Sequence, residues 1–260
     1  WLSVEFVESG WNVNHLLKMM VTTSAYQQSA SVTRTDWLKD RDNRYLSRGP
    51  RMRLDAEVLR DQALFVSGLL YRKVGGPSVK PYQPAGLWKE LAYDPDEFTA
   101  QTFVRSRGGN LYRRSLYTFY KRSVPPPNME AFDAPSREKC VVTRATTVAP
   151  SQALVLMNDV TFVEAARIFA GRIMRHAGTL RDRVLFAHRR ALGRTPDAHE
   201  IQILSDLWRD QRDVFRNSIR NAEDLLGVGD AVLAGDLAVP DLAAWTAVVS
   251  VLFETDEFVV

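Results

Sequence analysis

Apolar residues recur at helical spacing in four stretches after residue 150, and each stretch predicts an amphipathic helix. The four stripes are Phe162, Ala166, Phe169 and Ile173; Leu180, Val184, His188 and Ala191; Ile201, Leu204, Trp208, Gln211 and Phe215; and Leu242, Trp245, Val249 and Leu252. Proline followed by aspartate, at 196–197 and 240–241, is typical of a helix start,. Four helices with short connections predict a bundle-like C-terminal half.

The N-terminal part also predicts helices. Gly10 followed by Asn12 and Asn14 separates two short helices, because glycine ends a helix and asparagine caps the next,. A longer helix is predicted over 53–70, where Leu59, Ala63, Val66 and Leu70 lie on one face,. Gly75-Gly76-Pro77 is expected to end the helical region,.

The middle of the chain, 75–150, is rich in proline and glycine and has no long helical period. Residues 115–121 alternate apolar and polar side chains and predict a short strand. We therefore predict a mainly α fold with N-terminal helices over 1–74, a loop-rich central segment over 75–150 with one or a few short strands, and a helical bundle over 151–260. The whole is expected to be one domain, truncated at its N-terminus because it opens on Trp1 without an initiator methionine.

Composition is that of a folded globular protein, with 45% hydrophobic and 25% charged residues,. The net charge of +3 is unevenly divided, because the last 40 residues hold eight acids and no lysine or arginine. An anionic partner would bind the basic part. Alternatively, the acidic end packs against the basic part within one domain.

Several classes of site are not expected. No apolar run is long enough to span a membrane, and the start lacks the basic region of a signal peptide,. The single cysteine, Cys140, excludes an internal disulfide, a cysteine-based zinc site and haem attachment, and we expect it to be buried or half-buried,. The four histidines have no metal-ligand spacing, so no metal is expected and His188 is interpreted as a core histidine.

The central segment is the expected place for a site. Arginines are interleaved there with Tyr112, Tyr117, Phe119 and Tyr120, a pattern that suits an anionic or sugar ligand,. Arginines in loops also serve as clamps on backbone carbonyls and buried acids, and that alternative stays open. Nucleic acid is not expected as a partner, since no known DNA- or RNA-binding motif is present. The candidate ligand-binding residues are Arg51, Arg53, Lys80, Tyr82, Gln83, Arg113, Arg114, Lys121, Arg122, Asp133, Arg137 and Glu138.

Asp133 and Glu138 stand on either side of Arg137 in this segment. Two carboxylates are compatible with acid/base chemistry, but a turn clamped by an Asp–Arg pair requires less.

An ordered series of motifs along the chain resembles the planctomycete-type domain of unknown function 1553. The motifs lie at 20–29 (MVTTSAYQQS), 48–57 (RGPRMRLDAE), 75–84 (GGPSVKPYQP), 111–127 continuing into 132–135 (FDAP), and 151–159 (SQALVLMND) running into 162–167. The chain has Thr147-Val148-Ala149-Pro150-Ser151 where that family usually has Thr-Asn-Thr-Pro-Leu.

The resemblance implies a setting and no reaction. Members of the family typically form the C-terminal module of exported multidomain proteins, so a periplasmic, cell-envelope or extracellular location is implied. A haem c module often lies further upstream in such proteins, and no cofactor is expected in this chain itself.

Three hypotheses follow. The leading one is a binding or interaction module whose partner is an anionic polysaccharide or an upstream domain of the same polypeptide, with Arg113, Arg114, Lys121 and Arg122 on one exposed face. The second is a hydrolase acting on polysaccharide through Asp133 and Glu138. The third is a purely structural domain that packs on its upstream neighbour and exposes an apolar patch near Trp1, Phe6 and Trp11.

Overall fold

The computed structural model describes residues 1–90, 102–176, 178–232, 235 and 237–260. It is 56% helical, with 13 α-helices and almost no strand among these residues, which confirms the mainly α prediction. The chain forms two compact units, Trp1–Arg53 and Leu54–Val260. This boundary differs from the segment boundaries expected after residues 74 and 150, and the single family domain stays a prediction.

The first unit contains α1 (Leu2–Glu8), α2 (Val13–Val21) and α3 (Arg34–Lys39). The two predicted short helices are confirmed: Gly10 has a positive φ of 69°, and Asn12 caps α2 by accepting a hydrogen bond from the His15 backbone N–H at 3.0 Å,. None of the residues of these three helices is buried.

In the second unit, α4 (Ala56–Ser67) is the helix predicted over 53–70. It ends earlier than expected, because Gly68 adopts the left-handed conformation that terminates many helices,. Its buried face, which includes Leu59, Ala63 and Val66, packs against α8.

The central segment contains the short helices α5 (Leu87–Glu90) and α6 (Pro127–Glu130) and 3-10 turns at Gly108–Tyr112 and Ser115–Tyr117. The strand predicted over 115–121 is wrong, since only isolated bridges such as Val79 with Thr118 occur there. Side chains of α4 bind this backbone instead of a neighbouring strand. Asp61 accepts a hydrogen bond from the Ser115 backbone N–H at 2.7 Å, and Arg60 donates to the Arg113 carbonyl at 3.0 Å.

Seven helices form the C-terminal part: α7 (Pro150–Asn158), α8 (Val160–Arg175), α9 (Leu180–Leu192), α10 (Ala198–Asn217), α11 (Ile219–Leu226), α12 (Val239–Glu254) and α13 (Asp256–Val259). All four predicted stripes fall within helices, namely α8, α9, α10 and α12. Helix α12 is central, because it packs against α8, α10 and α11 and buries residues on most of its circumference, including Trp245,.

A buried carboxylate joins α8 to the central segment. The Glu164 side chain is fully buried, and its Oε1 accepts hydrogen bonds from the Tyr112 hydroxyl at 2.9 Å, the Tyr82 hydroxyl at 3.3 Å and the Ala231 backbone N–H at 2.6 Å. Burial is the main cause that raises the pKa of both tyrosines, and the nearby Glu164 charge adds to it,. Both phenols therefore stay protonated as donors.

Acidic residues near the C-terminus pair with basic residues of the same unit. Arg105 binds Asp230 at 2.8 Å, and Arg194 binds both Glu257, at 2.7 Å, and Glu200. These pairs support the alternative in which the acidic end of the chain packs against the basic part.

The Arg194 pairing makes the stability depend on pH. Hydrogen bonds from Arg194 are the main cause that lowers the pKa of Glu200 from 4.5 to about 2; His188 also faces this carboxylate at 3.8 Å. A lowered folded-state pKa stabilises the fold fully above pH 4.5, and this contribution is lost as the pH falls through about 2. We expect Glu200→Gln to remove roughly 1 kcal/mol of this acid-sensitive stability, allowing for solvent screening.

Urea unfolding at pH 7, 4 and 2.5 measures this effect. The exposed Glu223 provides the control, and Glu223→Gln should retain the wild-type pH slope. An unchanged slope in Glu200→Gln would contradict the assignment.

Candidate functional site

Arg113 is an internal clamp and not part of an exposed basic face. The residue is 2% exposed, and its guanidinium donates to three backbone carbonyls: Pro77 at 2.9 Å, Lys73 at 3.2 Å and Gly75 at 2.5 Å. The guanidinium carbon also lies 3.8 Å from the centroid of the Tyr117 ring. The predicted common exposed face of Arg113, Arg114, Lys121 and Arg122 is therefore wrong for Arg113, because turn carbonyls without helix or sheet partners take up its donors.

The other basic candidate residues differ in how exposed they are. Arg122 is exposed, and Arg114 is exposed beside Asp61, to which its Nε donates at 3.4 Å. Lys80 and Lys121 are half-buried and share one aromatic neighbour, with their Nζ atoms 5.0 and 4.5 Å from the Trp88 ring centroid. The structure thus brings together Lys80 and Lys121 from the predicted set.

Tyr82 and Gln83 face the protein interior. The Tyr82 hydroxyl belongs to the Glu164 network and also accepts a hydrogen bond from the Asp230 backbone N–H at 2.9 Å. Gln83 is half-buried, and its Oε1 is buried without a hydrogen-bond partner. Tyr82 is therefore a structural residue.

The carboxylates proposed for a hydrolase are differently placed. Asp133 is half-buried, and its oxygens accept hydrogen bonds from the Thr147 backbone N–H at 2.8 Å and the Thr147 hydroxyl at 2.9 Å. Glu138 is exposed, as is Arg137, which lies over the Tyr120 ring at 4.5 Å. Asp133 thus holds a turn, and this geometry lends no support to the hydrolase alternative.

Arg51 and Arg53 belong to the first unit, where Arg51 is exposed and Arg53 is half-buried. Cys140 is exposed, so the expectation that it would be buried or half-buried is wrong. It lies in a segment without regular structure, where no helix or strand covers the side chain.

Sequence reasoning missed a cationic groove at the end of α4, which we call the arginine groove. Its volume is about 460 Å³. The lining residues are Phe65, Ser67, Gly68, Leu70, Arg72, Ile168, Arg172 and Arg190.

Three guanidinium groups line the groove, and two of them bind there because the C-terminal end of α4 presents unpaired carbonyls and a partial negative charge,. Arg172, in the last turn of α8, donates to the Val66 carbonyl at 2.8 Å. Arg190, in the last turn of α9, donates to the Phe65 carbonyl at 2.9 Å and lies 4.4 Å from the Phe65 ring centroid. Arg72 is exposed and lies 5.4 Å from the same centroid.

Gly68 makes the close approach of Arg172 possible. A Cβ atom at this position would lie 2.9 Å from Arg172 Nη1, and the positive φ of 88° also favours glycine,.

No acidic side chain is among the described residues that line the groove. Within the described ranges, none of the three arginines forms an ion pair with a carboxylate. Burial, followed by the like charge of Arg190, lowers the pKa of Arg172 below its ordinary value,. Each guanidinium has five donors, of which the carbonyls use few, and none of those remaining on Arg172 or Arg190 is buried without a partner,. The arrangement is that of an anion-binding site.

One group of side chains has the spacing of metal ligands. Single ligand atoms of His188, Glu200 and Glu257 lie within 4.8 Å of one another. The Arg194 guanidinium binds both carboxylates, so it supplies the positive charge between them. His188 is buried and its Nδ1 lies 3.1 Å from the Arg194 carbonyl, as expected for a core histidine.

Replacing Arg113 tests the clamp. We expect Arg113→Lys to lower the free energy of unfolding by roughly 2–4 kcal/mol, because a lysine cannot reach three carbonyls at once. Chemical denaturation measures the change, with Arg122→Lys at an exposed position as the matched control, expected within about 0.5 kcal/mol of wild type. Equal stabilities of the two variants would show that the clamp is dispensable.

A family model described as PSD1, protein of unknown function (DUF1553), matches residues 1–208. The match includes the three arginines of the groove. No curated protein and no solved structure matches the chain. In the part of the chain that the structure describes, no helix is both long and apolar enough to cross a membrane.

Proposed function

We propose that this chain, which belongs to the PSD1 family of proteins of unknown function (DUF1553), is a binding module for an anionic ligand held in the arginine groove. The family match confirms the resemblance found in the sequence. Of the two partners expected from the sequence, an anionic polysaccharide and an upstream domain of the same polypeptide, the polysaccharide carries the carboxylate or sulfate groups that guanidinium groups bind. An extracytoplasmic location, as the family resemblance implies, is part of this proposal.

The observation that carries the proposal is that three arginines meet where none of the described lining residues is acidic. Several other arginines of the same unit have carboxylate partners: Arg105 binds Asp230, Arg144 binds Glu57 at 2.7 Å, and Arg194 binds Glu200 and Glu257. Among the described residues of the groove, only backbone carbonyl oxygens offset the positive charge of the guanidinium groups. An incoming anion would therefore gain charge-assisted hydrogen bonds without displacing an existing ion pair.

The alternative explanation is that these arginines only stabilise the end of α4. That role accounts for Arg172 and Arg190, which bind carbonyls of the last turn, but it does not account for Arg72, which lies over the Phe65 ring. Charge-assisted hydrogen bonds contribute about 1.5–3 kcal/mol each, and association costs several kcal/mol. We expect dissociation constants on the order of 10–1000 µM at low salt.

Titration calorimetry with a dextran oligosaccharide that carries a single sulfate group tests the proposal. We expect Arg72→Gln to raise the Kd at least about fivefold, because it removes one guanidinium without disturbing the cap of α4. Arg209→Gln is the control: it removes the same charge from the surface of α10, where Arg209 pairs with Asp206 at 2.5 Å. The Kd should also rise with salt. Equal losses in the two variants would mean that net charge alone attracts the ligand.

A second candidate function, docking on a partner domain, is favoured by the surface of α1 and α2. Trp1 is 80% exposed and Trp11 is 67% exposed, while Phe6 is half-buried against Trp11. The other exposed apolar side chains of these helices are Leu2, Val4, Val7, Val13, Leu17, Met20 and Val21. These exposed apolar side chains support the proposal of a domain that packs on its neighbour, because a large exposed apolar surface is typical of an interaction site.

Hydrogen exchange distinguishes the two functions. If residues 1–21 dock on an upstream domain, their amides should exchange at least about tenfold more slowly in the full-length polypeptide than in this chain alone, because docking suppresses local opening. The amides of α12, which is already buried, serve as the internal control. Identical exchange of residues 1–21 in both proteins would contradict docking and leave anion binding unaffected.

A further inference from the structure

A second pocket adjoins the arginine groove and shares Arg190 with it. This pocket has a volume of about 500 Å³. It is lined by His176, Asp182, Leu185, Phe186, Arg189 and Arg190. We call it the ring pocket.

The walls of the ring pocket differ in chemistry from those of the groove. The His176 ring stacks on the Phe186 ring with 4.5 Å between centroids and 25° between planes, and Leu185 adds an aliphatic surface. Flat ring faces of this kind pack against the C–H faces of sugars. Asp182 and Arg189 are exposed beside them and offer an acceptor and donors suited to hydroxyl groups,.

Asp182 restricts where the ligand carries its charge. The carboxylate is fixed by Thr179, whose backbone N–H and hydroxyl each donate to Asp182 Oδ2 at 2.8 Å. These hydrogen bonds are the main cause that lowers the pKa of Asp182, so the group is ionised at neutral pH. A chain with a negative charge on every unit, such as polyphosphate or an acidic peptide, would bring one charge against Asp182 while another lies in the groove.

We propose that the ring pocket binds the sugar ring whose acidic substituent lies in the arginine groove, so that the ligand is an acidic saccharide, either a sugar sulfate or a uronate. The inference rests on the proposed function, since it assigns the ligand class of the same anion site. The groove binds the charge, and the ring pocket binds a neutral hydroxylated face.

Calorimetry with inorganic sulfate, glucose 6-sulfate, glucuronate and triglutamate tests the assignment. We expect glucose 6-sulfate to bind at least tenfold more tightly than inorganic sulfate and triglutamate, and glucuronate to bind more tightly than triglutamate. His176→Ala should reduce the preference for glucose 6-sulfate over inorganic sulfate to less than threefold, while the affinity for sulfate itself changes less than twofold. His199→Ala, at an exposed position on α10, is the matched control and should keep the wild-type preference.

Arg189→Gln provides a second variant in case His176→Ala does not fold. Arg189 is exposed and donates through Nε to the Thr195 hydroxyl at 3.1 Å, so its loss should weaken sugar binding with little effect on folding. Equal affinities of the folded wild-type protein for glucose 6-sulfate and inorganic sulfate would overturn the ring pocket and leave the anion site standing. Tight binding of triglutamate would identify an acidic peptide as the ligand and also overturn the inference. Failure of all four probes to bind would overturn the proposed function together with the inference.

Discussion

Backbone carbonyls that helices and strands leave unpaired constrain this structure, and arginine side chains satisfy them. The central segment has few regular hydrogen bonds, yet its residues 111–113 and 115 are buried, and a buried carbonyl without a donor is costly,. Arg60, which is 2% exposed, donates to the carbonyls of Leu111 and Arg113 from the buried face of α4. Arg113 in turn donates to three backbone carbonyls of the turn at 73–77. Two guanidinium groups thereby replace the sheet that this segment does not form.

The same chemistry at the end of α4 has a different outcome. Arg172 and Arg190 also bind carbonyls, but they approach a helix terminus at the surface, so the donors that they do not use reach solvent. A guanidinium that caps a helix does not need a carboxylate, because the helix dipole already stabilises part of its charge. The structural role of Arg172 and Arg190 therefore leaves some of their N–H donors available to a ligand. Arg72 adds a third cation that the helix terminus does not require.

Local patterns predicted the helices because their apolar periodicity is a property of neighbouring residues. The stripes that contain Phe162, Leu180, Ile201 and Leu242 all fall in helices. The strand at 115–121 was wrong because alternation does not reveal that Asp61, on another element, accepts the Ser115 backbone N–H and that Arg60 binds the Ser115 hydroxyl. The prediction that Arg113 binds a ligand failed for a related reason. Whether an arginine holds the backbone or binds a ligand depends on carbonyls that are distant in sequence. The arginine groove was missed because its cations come from three separate elements, and the only local signal was basic residues in the last turns of α8 and α9.

The uneven charge of the chain explains why the groove keeps its positive potential. Two of the acidic C-terminal residues are positioned at other cations: Asp230 at Arg105 beside the central segment, and Glu257 at Arg194 where α13 meets α9. Each of these two acids is paired with an arginine that does not line the groove. Screening in water confines the effect of such charges to about a Debye length, so distant acids do little to neutralise a local cluster. The positive charge of the chain is thus neutralised where these acids bind their arginines. It remains where Arg72, Arg172 and Arg190 converge.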